Sequence, residues 1–210
     1  MSNQPGLRDS KKAATRQLIS DVATRLFVER GFDNVSVDEV ASEAGVARKT
    51  VFNYFPRKED LLFDREEEGR AMLRQALAER GEQSPIQAFQ TLMRRLLDQQ
   101  HPLFRINERP LEFWRTVAES PSLLRHAREL QAMLADDLAE MLCEAANRPC
   151  PDPDARLAAA MLVDTLVIAY GEGLRSFREQ RRRKPVSAFT NVMERGFQGV
   201  NAALAGTPYV

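Results

Sequence analysis

An all-α architecture is what this 210-residue sequence predicts, and three observations carry the prediction. Helix-starting signals recur along the chain: Ser36 with Glu39, Ser84-Pro85 with Gln87, Ser120-Pro121 and Asp152-Pro153 each place a capping oxygen or a proline where a first helical turn needs it. Apolar residues repeat at three- and four-residue intervals. No stretch sustains the period-two alternation and hairpin turns of paired strands. With 43% hydrophobic residues and 30 basic against 30 acidic side chains, the chain has the material for a packed core rather than for disorder.

The first helix is read from Ser10 to Arg30, with Ile19, Ala23, Leu26 and Phe27 on its inner face and Gly31 as its stop. Two short helices follow, Val37 to Ala44 and Arg48 to Phe55. Their composition is that of a helix-turn-helix. Ala41 is small enough for a close crossing, Gly45 supplies a positive φ in the turn, and Val40, Val46 and Val51 are spaced as inward anchors. The fourth helix is read as continuous from Lys58 to Arg80, the fifth from Pro85 to Gln100, and a sixth around Leu111 to Glu119. Long helices are expected over Pro121 to Ala146, Pro153 to Gln180 and Pro185 to Leu204. This divides the chain into a head, residues 1–57, and a larger helical domain, residues 58–210.

The third helix turns Arg48, Lys49, Thr50, Asn53 and Tyr54 outward, all able to donate to phosphates, with Arg48, Lys49 and Asn53 also suited to base edges. Arg57 and Lys58 come next, placed by this reading at a helix start, where the dipole favours a phosphate. Arg8, Lys11, Lys12 and Arg16 form a basic lead-in. A neutral chain is no obstacle, because DNA feels charge within a Debye length of ~8–10 Å rather than the sum over the molecule. The partner expected is therefore double-stranded DNA.

These residues carry a resemblance. "SVDEVASEAGVARKTVFNYFPRKEDLL" resembles the DNA-binding head of the TetR family of bacterial transcriptional regulators over about Lys11 to Leu62, with Val37, Val40, Ala41, Ala44, Gly45, Val46, Thr50, Phe55, Lys58 and Leu61 fitting its pattern. Its "F-x-Y-F-P-x-K" flavour is similar to actinobacterial branches, including mycofactocin-type regulators. Three positions depart from the pattern: Ala47 where a capping Ser is usual, Phe52 where Tyr is common, and Arg57 where Ser or Asn is usual. The resemblance implies a homodimer on a palindromic operator and a larger domain that binds a small-molecule effector. One short recognition helix makes few contacts, so doubling half-sites has a physical motive as well.

The dimer surface is expected on the last two helices. Phe189, Val192, Met193, Gly196, Phe197, Val200 and Leu204 form a stripe on the last, and Gly196 with Gly199 permits a close crossing. An effector pocket is expected from Phe89, Met93, Phe113, Trp114, Val117 and Met133, with Phe104 and Met141 beside them. The same side chains also suit an ordinary core. Asp164 lies inside an apolar run, where it needs a structural partner, a dimer contact or a ligand. His101 and His126 lack metal-ligand neighbours and read as structural or solvated. "REQRRRK", Arg178 to Lys184, reads as a solvated face.

No nucleophile–His–acid set, phosphate loop or metal constellation marks an enzyme, and no cofactor is expected. The N-terminus lacks the apolar core of a signal peptide, and no segment is read as apolar enough to span a membrane. Cys143 and Cys150 are read as too few for a disulfide framework, in agreement with a reducing compartment, and as buried or bystander cysteines in preference to a redox switch between them. A cytoplasmic, ligand-responsive repressor is the expectation. The alternative is a DNA-binding regulator without a small ligand, controlled by a partner protein or constitutive.

Overall fold

A computed structural model describes residues 7–104, 107–179 and 185–210. Helices α1 (Leu7–Arg30), α2 (Val37–Glu43), α3 (Arg48–Tyr54), α4 (Glu66–Ala78), α5 (Pro85–Asp98), α6 (Glu108–Glu119), α7 (Pro121–Ala145), α8 (Pro153–Arg178) and α9 (Pro185–Ala203) make up the fold, with 3-10 turns at Phe32–Asn34, Glu59–Leu61 and Pro102–Phe104. No strand occurs among the described residues. Five residues of the basic run, 180–184, lie outside them.

The chain falls into two compact units. One runs to Glu66 and takes in Glu112–His126; the other comprises Glu67–Leu111 and Ala127–Val210. The first unit therefore extends past residue 57, where the sequence placed the head's end, and recruits the last turns of α6 and the start of α7.

Caps explain where the short helices begin. At α2, Glu39 N–H donates to Ser36 Oγ (3.2 Å) and Ser36 N–H donates to the Glu39 carboxylate (2.8 Å), closing a reciprocal box. The Ser36 backbone N–H, and then its hydroxyl, hold the Glu39 carboxylate below its usual pKa. Ser84 and Gln87 repeat the device at α5. Ser36→Ala is expected to cost about 1 kcal/mol of stability, read as a lower denaturant midpoint at unchanged slope.

The fourth helix corrects the sequence reading. It starts at Glu66, not Lys58, because the intervening backbone groups are taken elsewhere. Arg57 N–H donates to Asp60 Oδ2 (2.8 Å), and a 3-10 turn follows. The Leu61 carbonyl accepts from the Ser20 hydroxyl (3.2 Å), and the Asp64 carbonyl from the Arg16 guanidinium (2.9 Å). Both carbonyls would have served a continuous helix. Arg57 and Lys58 consequently do not sit at an α-helix N-terminus.

Two further expectations are overturned. Helix α8 is long and apolar enough to cross a membrane by length and composition, with a mean hydropathy of 1.5 over its most apolar window. Its charges cluster at the two ends, with only Asp164 between Arg156 and Glu172. Ala155, Ala158, Ala159, Leu162 and Val163 on its inner face are buried in the core of the second unit. Cys143 and Cys150, in turn, are joined in a disulfide with Cα atoms 5.9 Å apart, because the turn after α7 folds back on the helix end through Arg148 N–H to the Cys143 carbonyl (2.9 Å). Cysteine usage thus no longer speaks for a reducing compartment.

Candidate nucleic-acid interface

The head is built around Phe27, Phe55, Ile19, Leu26 and Leu61, all fully buried. Helix α2 ends as the sequence requires. Gly45 has φ of 65°, Val46 N–H donates to the Ala41 carbonyl (2.9 Å), and Gly45 N–H donates to Ser42 (3.2 Å), the paired bonds of a Schellman stop. Ala41 and Val51 are buried where α2 and α3 cross. Ala47 caps α3 with no side-chain bond, consistent with its departure from the family pattern.

The outer face of α3 presents Arg48, Lys49, Phe52 and Asn53 to solvent, with Thr50 and Tyr54 half-buried beside them. Arg48 is held in place: its guanidinium donates to Asp38 Oδ2 of α2 (2.8 Å) and lies 5.5 Å over the Phe52 ring. Lys11, Lys12 and Lys49 are exposed, and their ammonium groups make no ion pair among the described residues. Arg57 is exposed as well. Lys58 is half-buried and turned inward; its Nζ donates to the Phe32 carbonyl (2.6 Å). Arg16 is likewise committed, to Asp64 and to the face of Phe55 at 4.7 Å.

The expected effector residues are divided between the two units. Phe89 and Met93 are buried in the core of the second unit, Phe89 edge-on to Phe197 with centroids 6.3 Å apart. Phe113, Trp114 and Val117 belong to the first unit, where Phe113 packs on Phe63 (5.6 Å) and Trp114 on Phe113 (5.3 Å). Met133 stands 52% exposed on α7. A groove of about 340 Å³ does lie between α7 and α8, lined by Arg128, Gln131, Ala132, Ala135, Ala160, Val163 and Asp164. Within it Gln131 donates to Asp164 Oδ1 (2.7 Å), the structural partner that the buried-looking carboxylate needed.

The expected dimer stripe packs largely within its own chain. Phe189, Met193, Phe197 and Val200 are buried in their own chain, and Val192 packs against the same core. Gly196 faces Thr165 of α8 in the same chain, so its close crossing is intramolecular. Among the described residues, α8 leaves Leu157, Val167 and Ile168 exposed. Helical periodicity had given the right stripes but not which partner covers them.

One constellation escaped the sequence altogether. His126 is buried, with Nε2 3.1 Å from Asp60 Oδ1 and its ring 5.6 Å from Phe63. Ser120 donates to Asp33 Oδ1 (3.2 Å). These contacts tie the start of α7 into the head. Nothing in local spacing signals a pair so far apart in the chain.

Comparison with known proteins gives this geometry a context. Residues 19–64 match the family model of bacterial regulatory proteins, tetR family. The chain is 48% identical over 48 residues (23% of this chain, 24% of the relative) to a protein named as a mycofactocin biosynthesis transcriptional regulator of Mycobacterium tuberculosis. It is 36% identical over 56 residues (27% and 29%) to an HTH-type transcriptional regulator of Staphylococcus aureus. The match thus spans about a quarter of the length of these curated relatives. Solved structures extend the likeness in fold. A protein described as a TetR-family transcriptional regulator from Mesorhizobium loti aligns with a TM-score of 0.55 at 23% identity, over 91% of this chain and 96% of that one. Thermus thermophilus FadR, a TetR-family repressor in complex with lauroyl-CoA, aligns at 0.54 and 25%, over 88% and 94%. A SmeT–triclosan complex aligns at 0.54 and 19%, over 90% and 91%.

Proposed function

From a chain that belongs to the TetR family of bacterial regulatory proteins, with the family's head at residues 19–64, we propose a transcriptional repressor that binds a palindromic operator as a homodimer in the bacterial cytoplasm. The observation that carries this reading is the head itself. A capped and Schellman-stopped α2 holds α3 rigidly, and α3 offers Arg48, Lys49 and Asn53 on one solvent face. Lys11, Lys12, Lys49 and Arg57 supply phosphate contacts, while Asn53 and the Asp38-held Arg48 address base edges. The homodimer forms over the open apolar face of α8. Release is by an apolar or amphipathic effector, a reading supported by relatives of the same fold solved with lauroyl-CoA and with triclosan. An effector acts only as far as it binds the released state better.

The commitment of Phe89 and Met93 to the core favours a second reading, a regulator without a small ligand. Thermal-shift screening with acyl-CoA esters and lipophilic compounds, followed by operator titration, separates the two.

Duplexes selected from random-sequence DNA test the proposal. Asn53→Ala is expected to cost ~1–3 kcal/mol and relax discrimination at one base pair per half-site. Lys11→Ala should weaken all sequences alike and lower the salt slope by about 0.9 per head. Failure to recover any sequence, or binding that ignores salt, would sink the DNA-binding reading.

A further inference from the structure

We propose that Phe52 reads the C5-methyl group of a thymine in the operator, on the base pair next to a guanine held by Arg48. The inference deepens the DNA-binding reading and rests on it; its test tells the failure of one from the failure of the other.

Across residues 11–65, two large apolar side chains are exposed, Leu18 on α1 and Phe52 on α3. The inner face of α3 is filled without Phe52. Val51 and Phe55, one turn apart, are buried in the head. Arg48 and Phe52, also one turn apart, lie on the outer face with Lys49 and Asn53, and Phe52 remains 39% exposed there. A phenyl ring has no donor to offer a phosphate. What it gains on DNA is the removal of apolar surface from water. The base edges of the major groove present one apolar group, the C5-methyl of thymine.

Arg48 fixes where that contact falls. Its guanidinium lies 5.5 Å from the Phe52 ring centre and donates to Asp38 Oδ2 at 2.8 Å. The ion pair is exposed, with about three fifths of each side chain open to solvent, so it sets a direction more than it adds stability. A guanidinium that already faces a carboxylate gains less from a phosphate. Its remaining donors match O6 and N7 of guanine. Successive base pairs are spaced ~3.4 Å along the duplex. A ring and a guanidinium at the separation found here therefore meet neighbouring pairs. The Asp38–Arg48–Phe52 row thus offers the groove a fixed fork of donors with an apolar plate beside it.

The test uses the full-length protein and a duplex that it selects from random-sequence DNA. Each half-site thymine is replaced in turn by uracil, which removes the methyl group and keeps the O4 acceptor. Wild-type affinity is expected to fall about fourfold at one position per half-site, the worth of one buried methyl group. Phe52→Ala is expected to bind the thymine and uracil duplexes alike at that position, while Phe52→Leu keeps the preference. Arg48→Ala is expected to relax discrimination at a guanine in the adjacent pair. Three results would overturn the proposal. One is a wild-type protein indifferent to uracil at every thymine. Another is a Phe52→Ala variant that keeps the thymine preference, which would give the methyl contact to a different side chain. The third is a methyl-sensitive thymine that is not adjacent to the pair at which Arg48→Ala relaxes. The uracil scan on wild-type protein needs no variant, and Phe52→Gln replaces Phe52→Ala if circular dichroism shows the latter unfolded. Failure to select any sequence removes the DNA-binding reading and this inference with it. Sequence-specific binding without methyl sensitivity removes the inference alone.

Discussion

Gly196→Ala is expected to destabilise the protein by roughly 1–3 kcal/mol, although the same exchange in an open helix would be worth up to about 1 kcal/mol of stabilisation. A methyl group built on Gly196 lies 2.8 Å from Thr165 Cβ and closer still to the two atoms at the end of that side chain. Rotating Thr165 moves its outer atoms but not its Cβ, so α8 and α9 must separate. That separation loosens the packing of Phe189, Met193, Phe197 and Val200, which flank Gly196 on the buried side of α9. For a chain of this size each kcal/mol lowers the melting temperature by about 2–4 °C. Thermal unfolding should therefore show a drop of several degrees. Thr165→Ala removes two of the three obstructing atoms and should recover part of the loss in the double variant. A melting temperature unchanged or raised in Gly196→Ala would mean that the two helices do not cross here.

The same glycine shows what the sequence could and could not say. A stripe of apolar residues around Gly196 was legible from helical spacing, and so was a close crossing. Whether α8 of the same chain or a second copy makes that crossing was not, because periodicity identifies a face and not its partner. Phe89 and Met93 pose the same ambiguity: large adaptable side chains suit a pocket and a core equally. The helix-turn-helix, by contrast, was legible almost residue by residue. Ser36, Glu39, Ala41, Gly45 and Val46 act on one another within ten positions, so the chemistry that shapes the turn is local. The break between Lys58 and Glu66 was invisible for the opposite reason. Its cause lies in Ser20 and Arg16, more than forty positions upstream, which take the Leu61 and Asp64 carbonyls. The pairing of His126 with Asp60 belongs to the same class of long-range contact. Lys58 combines both lessons: its position matched a family pattern, while the direction of its side chain was decided by Phe27 and Phe32.

Ile168→Glu is expected to leave each chain folded and to abolish high-affinity operator binding. Ile168 is 57% exposed, and with Leu157 and Val167 it forms the apolar face of α8 that the chain itself leaves open. Asp164, held by Gln131, lies among them at helical spacing and gives that face one fixed polar point. In the proposed homodimer the face is covered by its counterpart, and a carboxylate at position 168 would enter the interface from both partners without a counter-charge. An uncompensated buried charge costs about 3–5 kcal/mol. A monomer then meets the operator with one recognition helix instead of two. An affinity loss of at least about a hundredfold follows, equivalent to ~2.8 kcal/mol at 1.4 kcal/mol per factor of ten. Sedimentation should give a mass near the 23.8 kDa of a single chain, with helical circular dichroism retained at the same concentration. Half-site DNA serves as the control, because monomeric heads should bind it as weakly in the variant as in the wild type. Dimers that persist in Ile168→Glu would place the partner contact on another surface. A monomer that kept full operator affinity would show instead that one head suffices, and would remove the palindrome from the proposal.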